Sequence, residues 1–217
     1  TAELHAAYEK SLEPMPLPGK VQLAEVVRTV SRMLPEDAIV TNGAGNFAAF
    51  VHRYFEYKRY RTQLAPTSGS MGYGLPAAVA AKLAQPERAV VNFQGDGCFL
   101  MTGQELATAV QYGLPVVTII CNNGLYGTIR MHQEREYPGR VSATDLRNPD
   151  FAAMARSFGG FGATVRPLGA CGQGDGGPGL WVLIGVVGAV LFVGLSNLTH
   201  LFLVRAQRRS SGLAVRA

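Results

Sequence analysis

The segment from Val90 to Gly127, VVNFQGDGCFLMTGQELATAVQYGLPVVTIICNNGLYG, constrains this chain more than any other. An apolar run from Val90 to Phe93 stops at Gln94-Gly95-Asp96-Gly97. An amphipathic segment continues to Tyr112, the break Gly113-Leu114-Pro115 follows, and a second apolar run reaches Cys121 before Asn122-Asn123-Gly124. Short apolar runs bounded by turn residues read as buried strands, and the amphipathic piece between them reads as one crossover helix. A right-handed crossover leaves its two strands parallel, so Asp96 and Asn123 emerge at the same carboxyl edge of a sheet.

A carboxylate and an amide oxygen are hard ligands suited to Mg²⁺, which usually keeps positions for waters and substrate phosphates. Gly95 and Gly97 allow close approach of the backbone, and the helix start after Gly97 offers N–H groups and a positive dipole end to a phosphate. The expected ligand is a magnesium diphosphate. Asp between glycines is commonly only a turn or a helix cap. The Asn-Asn pair at the end of the next strand, roughly 25 residues on, gives the pattern its force.

Gly-Asp-Gly followed at this distance by Asn-Asn resembles the diphosphate-binding motif of thiamine diphosphate (TPP) enzymes. From about Gly19 to Val165 the chain is similar to the acetolactate synthase-like group. The resemblance implies an α/β fold, a parallel-sheet three-layer α/β/α TPP-binding domain. It implies Asp96, Asn123 and the Leu125 carbonyl as metal ligands, with Gly95, Asp96, Gly97, Cys98, Asn123, Leu125, Tyr126 and Gly127 against the cofactor. A strand at Ala38–Thr41 ends in a second glycine-rich turn, Asn42-Gly43-Ala44-Gly45-Asn46, where the resemblance puts Asn46 and the Phe47 backbone near the terminal phosphate. Relatives in the group more often carry Gln-His there.

The stretch Pro66-Thr67-Ser68-Gly69-Ser70-Met71-Gly72-Tyr73-Gly74-Leu75-Pro76 opens an alanine-rich helix to Leu83. It resembles the element that grips the aminopyrimidine ring, with the Gly69 carbonyl accepting from the exocyclic amine and Met71 beneath the cofactor. A short helix over Thr128–Glu136 offers Ile129 and Met131 as pocket residues and His132 and Gln133 as polar candidates, His132 facing solvent rather than acting in catalysis. No catalytic residue is assigned. In the family the glutamate that faces the pyrimidine comes from a separate pyrimidine-binding domain of a partner subunit, and nothing here matches it. The expected function is therefore a TPP- and Mg²⁺-binding domain, a fragment of a homo-oligomeric enzyme acting on 2-oxo acids by decarboxylation and carboligation and inactive alone. The competing reading is a non-catalytic or membrane-tethered module that retains the fold.

Around this domain, taken as residues 20–166, lie a lead-in over 1–19 whose first ten residues suit a helix, and a glycine-rich linker over 167–179. A helix with apolar positions from Leu23 to Leu34 closes at Pro35, another runs from Phe151 to Phe158, and Ala163–Val165 reads as a strand. His52 to Arg61 reads as a helix end and a solvated polar aromatic loop. Residues 180–204 are long and apolar enough to be a candidate membrane span, followed by a basic tail over 205–217 with Arg205, Arg208, Arg209 and Arg216. The net charge of +5 comes without the basic-aromatic stripe that marks nucleic-acid binding. Three cysteines without a CxxC pattern point to neither a zinc site nor a disulfide framework and suit a reducing cytoplasm, with membrane association resting on 180–204. The chain starts at Thr1 with no signal-peptide pattern, as expected of a piece from within a longer protein.

Overall fold

The computed structural model describes residues 2–165 apart from Met15, Pro16 and Lys20. The linker, the apolar segment 180–204 and the basic tail lie outside the described residues, and with them the candidate membrane span. Among the described residues no helix is long and apolar enough to cross a membrane.

Four strands, β1 (Ile39–Asn42), β2 (Gln63–Leu64), β3 (Val90–Gly95) and β4 (Val117–Cys121), form one parallel sheet in the order β2-β1-β3-β4. Helices α1 (Ala2–Ser11), α2 (Leu23–Met33), α3 (Asn46–Tyr54), α4 (Gly74–Ala84), α5 (Asp96–Thr102), α6 (Glu105–Gln111), α7 (Gly127–Glu136) and α8 (Phe151–Ser157) surround it. Helices cover the sheet's faces, and the central strands β1 and β3 are accordingly buried along nearly their whole length, polar residues included. Side chains alternate between the two faces. Val40, Val91 and Phe93 meet Ala24 and Val27 of α2 and Val51 and Tyr54 of α3. Ile39 and Val90 meet Ala78 and Ala81 of α4, while Leu75 and Val79 of α4 pack with Phe99 and Ala109 beside Ile120. The result is the expected α/β/α layering. Complete burial of Phe93 alone stabilises by about 1.5–3 kcal/mol.

The small residues of α4 let it lie close to the sheet. A Cβ on Gly74 would sit 2.8 Å from the Asn42 carbonyl carbon and 2.5 Å from Asn92 Oδ1. Beneath it runs a buried polar row across three strands. Thr41 Oγ1 donates to the Gly74 carbonyl (2.9 Å) and lies 3.1 Å from Asn92 Oδ1, whose amide reaches Thr118 Oγ1 at 3.4 Å.

Three expectations need correction. The crossover between β3 and β4 is two helices: after Thr102 the bonds Leu106 N–H to Gly103 O and Ala107 N–H to Gln104 O, each spanning three residues, tighten the chain and restart it as α6. Gly103 permits this, since a Cβ there would meet the Phe99 ring at 2.9 Å. Ala163–Val165 is not a strand: its residues are largely exposed, and β4 pairs only with β3 among the described residues. The aromatic patch is not wholly solvated. Tyr54 is buried in the α2–α3 cluster, Tyr57 packs on it, and Gln63–Leu64 forms the unexpected edge strand β2. The lead-in folds onto the domain, with the Ser11 and Leu12 carbonyls accepting from Arg53 and Arg28.

Candidate cofactor site

From β1 the chain crosses to β2 on one side, then returns to lay β3 on the other. Such a reversal opens a crevice outside the carboxyl ends of the two central strands, where ligands of open α/β sheets bind. Both glycine-rich turns flank it. Gly45 has φ 146°, a value that glycine adopts freely, and this turns the chain sharply into α3. The Phe47 ring then closes over both turns, 3.0 Å from where a Cβ on Gly45 would be and 3.1 Å from one on Gly95.

Asp96 opens α5 and is 2 % exposed. Its Oδ2 accepts from the Gly124 N–H (2.8 Å) and from Asn148 Nδ2 (2.7 Å). The same Asn148 nitrogen donates to Asn122 Oδ1 at 2.8 Å. The carboxylate at the end of β3 is thus held against the turn that leaves β4. Oδ1 takes no hydrogen bond from the described residues.

The turn after β4 is fixed on its far side. Leu125 forms an antiparallel bridge with Asp145, using the Gly124 carbonyl (from Leu146 N–H, 2.7 Å) and the Tyr126 N–H (to Thr144 O, 2.8 Å). In such a pair the bridging residue's own N–H and C=O face the opposite side. There the Leu125 N–H donates to Asn123 Oδ1 at 3.3 Å, and the Leu125 carbonyl has no donor among the described residues. Exposed Asn123 and the Leu125 carbonyl therefore lie on one side of the turn. The Tyr126 ring covers Gly97, where a Cβ would sit 2.5 Å from Cε1. Gly127 starts α7 against Asn123 Nδ2.

Asn46 is tied to α7, its N–H and Oδ1 both bonded to Thr128 Oγ1 (3.2 and 2.9 Å), with Met131 Sδ 3.9 Å from its amide. Ile129 is exposed on the same helix. Gln133 instead pairs in both directions with the Ser142 backbone, and His132 is exposed beside Arg135. Gly69 stands at an exposed turn and Met71 is half-buried. Gly72 is bonded to α5 twice: its N–H donates to Cys98 Sγ (3.0 Å) and its carbonyl accepts from Thr102 Oγ1 (2.9 Å).

Cys98 is 1 % exposed, and its thiol links α5 to the Gly72 turn and to Ala44 of the first glycine-rich turn. Burial raises its pKa, opposed by the Gly72 and Ala44 N–H groups. The Cys121 thiol is pushed up to about 12 by burial and then by the negative charge of Asp96. Both are neutral thiols at ordinary pH.

Sequence reasoning missed Asn148, Thr128 and Gln94. Asn148-Pro149-Asp150 reads as a helix cap, and Asp150 does cap α8 by accepting from Ala153 N–H at 3.0 Å, but Asn148 faces the other way onto Asp96. Gln94 is fully buried between Gly43 and Gly74, and neither of its amide atoms has a partner among the described residues. No group of three His, Cys, Asp or Glu side chains among the described residues could hold a metal. The oxygen set of Asp96, Asn123 and a backbone carbonyl is of a different kind.

Residues 43–172 match the family described as thiamine pyrophosphate enzyme, C-terminal TPP binding domain. The chain belongs to this family. As a TPP-binding domain it is 40 % identical over 152 residues to the acetolactate synthase large subunit of Parasynechococcus marenigrum, covering 69 % of this chain and 24 % of that one. It is 36 % identical over 148 residues to the acetolactate synthase isozyme 3 large subunit of Escherichia coli, covering 67 % and 26 %. A thiamine diphosphate-dependent 4-hydroxybenzoylformate decarboxylase from Rhodococcus jostii superposes with a TM-score of 0.62 at 33 % identity, over 68 % of this chain and 28 % of that one. The chain therefore spans about a quarter of the length of these relatives.

Proposed function

We propose that this domain binds thiamine diphosphate through Mg²⁺ and forms one half of the active site of an acetolactate synthase-like enzyme that decarboxylates a 2-oxo acid and joins the product to a second carbonyl compound. The observation that carries this reading is the clamp on Asp96: its Oδ2 is occupied by Gly124 and Asn148 while Oδ1 is left for a cation. The donor set supports the fit, since carboxylate, amide and carbonyl oxygens are what Mg²⁺ accepts. Asp96, Asn123 and the Leu125 carbonyl would hold the ion. The backbone of Gly95, Gly97, Cys98, Tyr126 and Gly127 would line the diphosphate, with Asn46 and the Phe47 backbone at its far end.

Bound cofactor supplies the electron sink for decarboxylation, chemistry that belongs to the cofactor rather than to the protein. This chain's residues bind and orient. The Gly69 carbonyl would accept from the aminopyrimidine amine and Met71 would support the ring, while the Phe47 and Tyr126 rings lie against Gly95 and Gly97. The proton-transferring glutamate belongs to a pyrimidine-binding domain of a partner subunit, so the chain alone binds weakly and does not turn over.

Calorimetric titration of the full 217-residue chain with TPP, with and without Mg²⁺, tests this. Magnesium-dependent heat that disappears in Asp96→Ala is the expected result. Binding that ignores Mg²⁺, or an Asp96→Ala variant that binds like the parent, contradicts the site. Turnover of pyruvate by the chain alone contradicts the division of the active site.

A further inference from the structure

We infer that Asn148 is a positioning residue that holds the Asp96 carboxylate in one orientation, with one oxygen engaged by the protein and the other turned to the divalent cation. The inference rests on the proposed magnesium site and adds to it a residue from a distant loop. Asn148 and Asp96 are 52 positions apart, on opposite sides of β4 and α7 in the chain.

The geometry admits one orientation of the amide. An asparagine Nδ2 carries two protons, and here both have acceptors: Asp96 Oδ2 at 2.7 Å and Asn122 Oδ1 at 2.8 Å. Turning the amide over would bring its oxygen against the Asp96 carboxylate with no proton between them. Asn148 Oδ1 meanwhile is buried without a partner among the described residues. The side chain thus leaves its acceptor unsatisfied while donating twice.

Two consequences follow for the site. With the Gly124 N–H, Asn148 engages one carboxylate oxygen, so the carboxylate plane cannot tilt away without losing two hydrogen bonds to an ionised acceptor, each stronger than a neutral one. The cation then meets Oδ1 in one direction. By holding Asn122 as well, the same amide fixes the turn that carries Asn123 and the Leu125 carbonyl at a set distance from Asp96. One side chain therefore keeps all three proposed ligands in register, the kind of partner whose loss typically lowers metal affinity 10–100-fold.

The test compares Asn148→Ala and Asn148→Leu in the full chain by two titrations: Mg²⁺ at saturating TPP, and TPP at saturating Mg²⁺. Leucine restores the volume without the donors, so a packing role would be rescued by it and a donor role would not. The expected result is about a 10–100-fold weaker Mg²⁺ affinity in both variants, with TPP affinity at saturating Mg²⁺ within about twofold of the parent. A leucine variant whose Mg²⁺ affinity equals the parent's overturns the inference and leaves the proposed function standing. A parent that shows no magnesium dependence overturns both. Should neither variant fold, the Asn148 side-chain amide of the unliganded parent decides by NMR: two slowly exchanging protons support the inference, and rapidly exchanging ones overturn it.

Discussion

Replacing Gly97 by alanine probes the junction between the turn after β3 and the turn after β4, because the space a methyl group would need is already filled by Tyr126. The new Cβ would lie 2.5 and 2.8 Å from two ring carbons of Tyr126 and 3.2 Å from Leu146 Cδ1. Carbon atoms in contact sit about 3.5–4.0 Å apart, so the ring must retreat by about 1 Å. The Tyr126 backbone is held, its N–H bonded to Thr144 O, so a retreat of the ring strains the turn it belongs to. Overpacking of this size costs about 1–3 kcal/mol, offset by up to about 1 kcal/mol from the better helix propensity of alanine in α5. The net loss of about 1–2 kcal/mol corresponds to a Tm lower by about 2–8 °C for a domain of this size. Retreat of Tyr126 also moves the turn carrying Asn123 and Leu125, so magnesium-dependent TPP affinity falls tenfold or more. Thermal denaturation and calorimetry read the two effects. In the double variant with Tyr126→Ala the losses are less than additive, because the second change removes the obstacle. A Gly97→Ala protein with the Tm and affinity of the parent refutes the reasoning.

Gln94→Met tests the buried amide beneath the sheet edge: replacing two unpartnered polar atoms by an apolar chain of similar shape raises stability by about 1 kcal/mol, seen as a Tm higher by about 2–4 °C. A lower Tm means the amide is satisfied after all. Alkaline pH destabilises the fold, because Cys121 and Tyr57 are pushed from 9.0 and 10.0 up to about 12. Their protons stay on in the folded chain and leave in the unfolded one, so stability is intact below pH 9 and falls as the pH rises towards 12. Urea midpoints measured across that range check this, and a midpoint that does not fall contradicts it. In the folded chain at pH near 8, buried Cys98 resists alkylation, as peptide mapping would record; rapid labelling contradicts its neutral, buried thiol.

What the sequence announces depends on how local the cause is. The strands β1, β3 and β4 are legible because a buried parallel strand is a short apolar run ending in turn residues, and Val90–Phe93 and Val117–Cys121 are both. The convergence of Asp96 on the Asn122–Gly124 turn is legible because parallel crossovers force strand ends to one edge. The break between α5 and α6 is not, since the space at Gly103 is closed partly by Met154 of α8, which is distant in the chain, beside the local Phe99 ring. Asn148 is hidden for the same reason: its neighbours Pro149 and Asp150 make a sufficient local explanation as a cap, while its actual partner lies 52 residues away. Edge strand β2 has only two residues, both exposed, and so carries no hydrophobic pattern to read.

The most direct test of the site is a crystal of the domain grown with TPP and Mn²⁺ in place of Mg²⁺, where anomalous scattering locates the ion without reference to any assumed ligand. The expected result is one manganese peak about 2.0–2.3 Å from Asp96 Oδ1, with the Asn123 side chain and the Leu125 carbonyl completing the protein's share of its shell. A peak bound to other residues, or TPP bound with no metal beside Asp96, would contradict it.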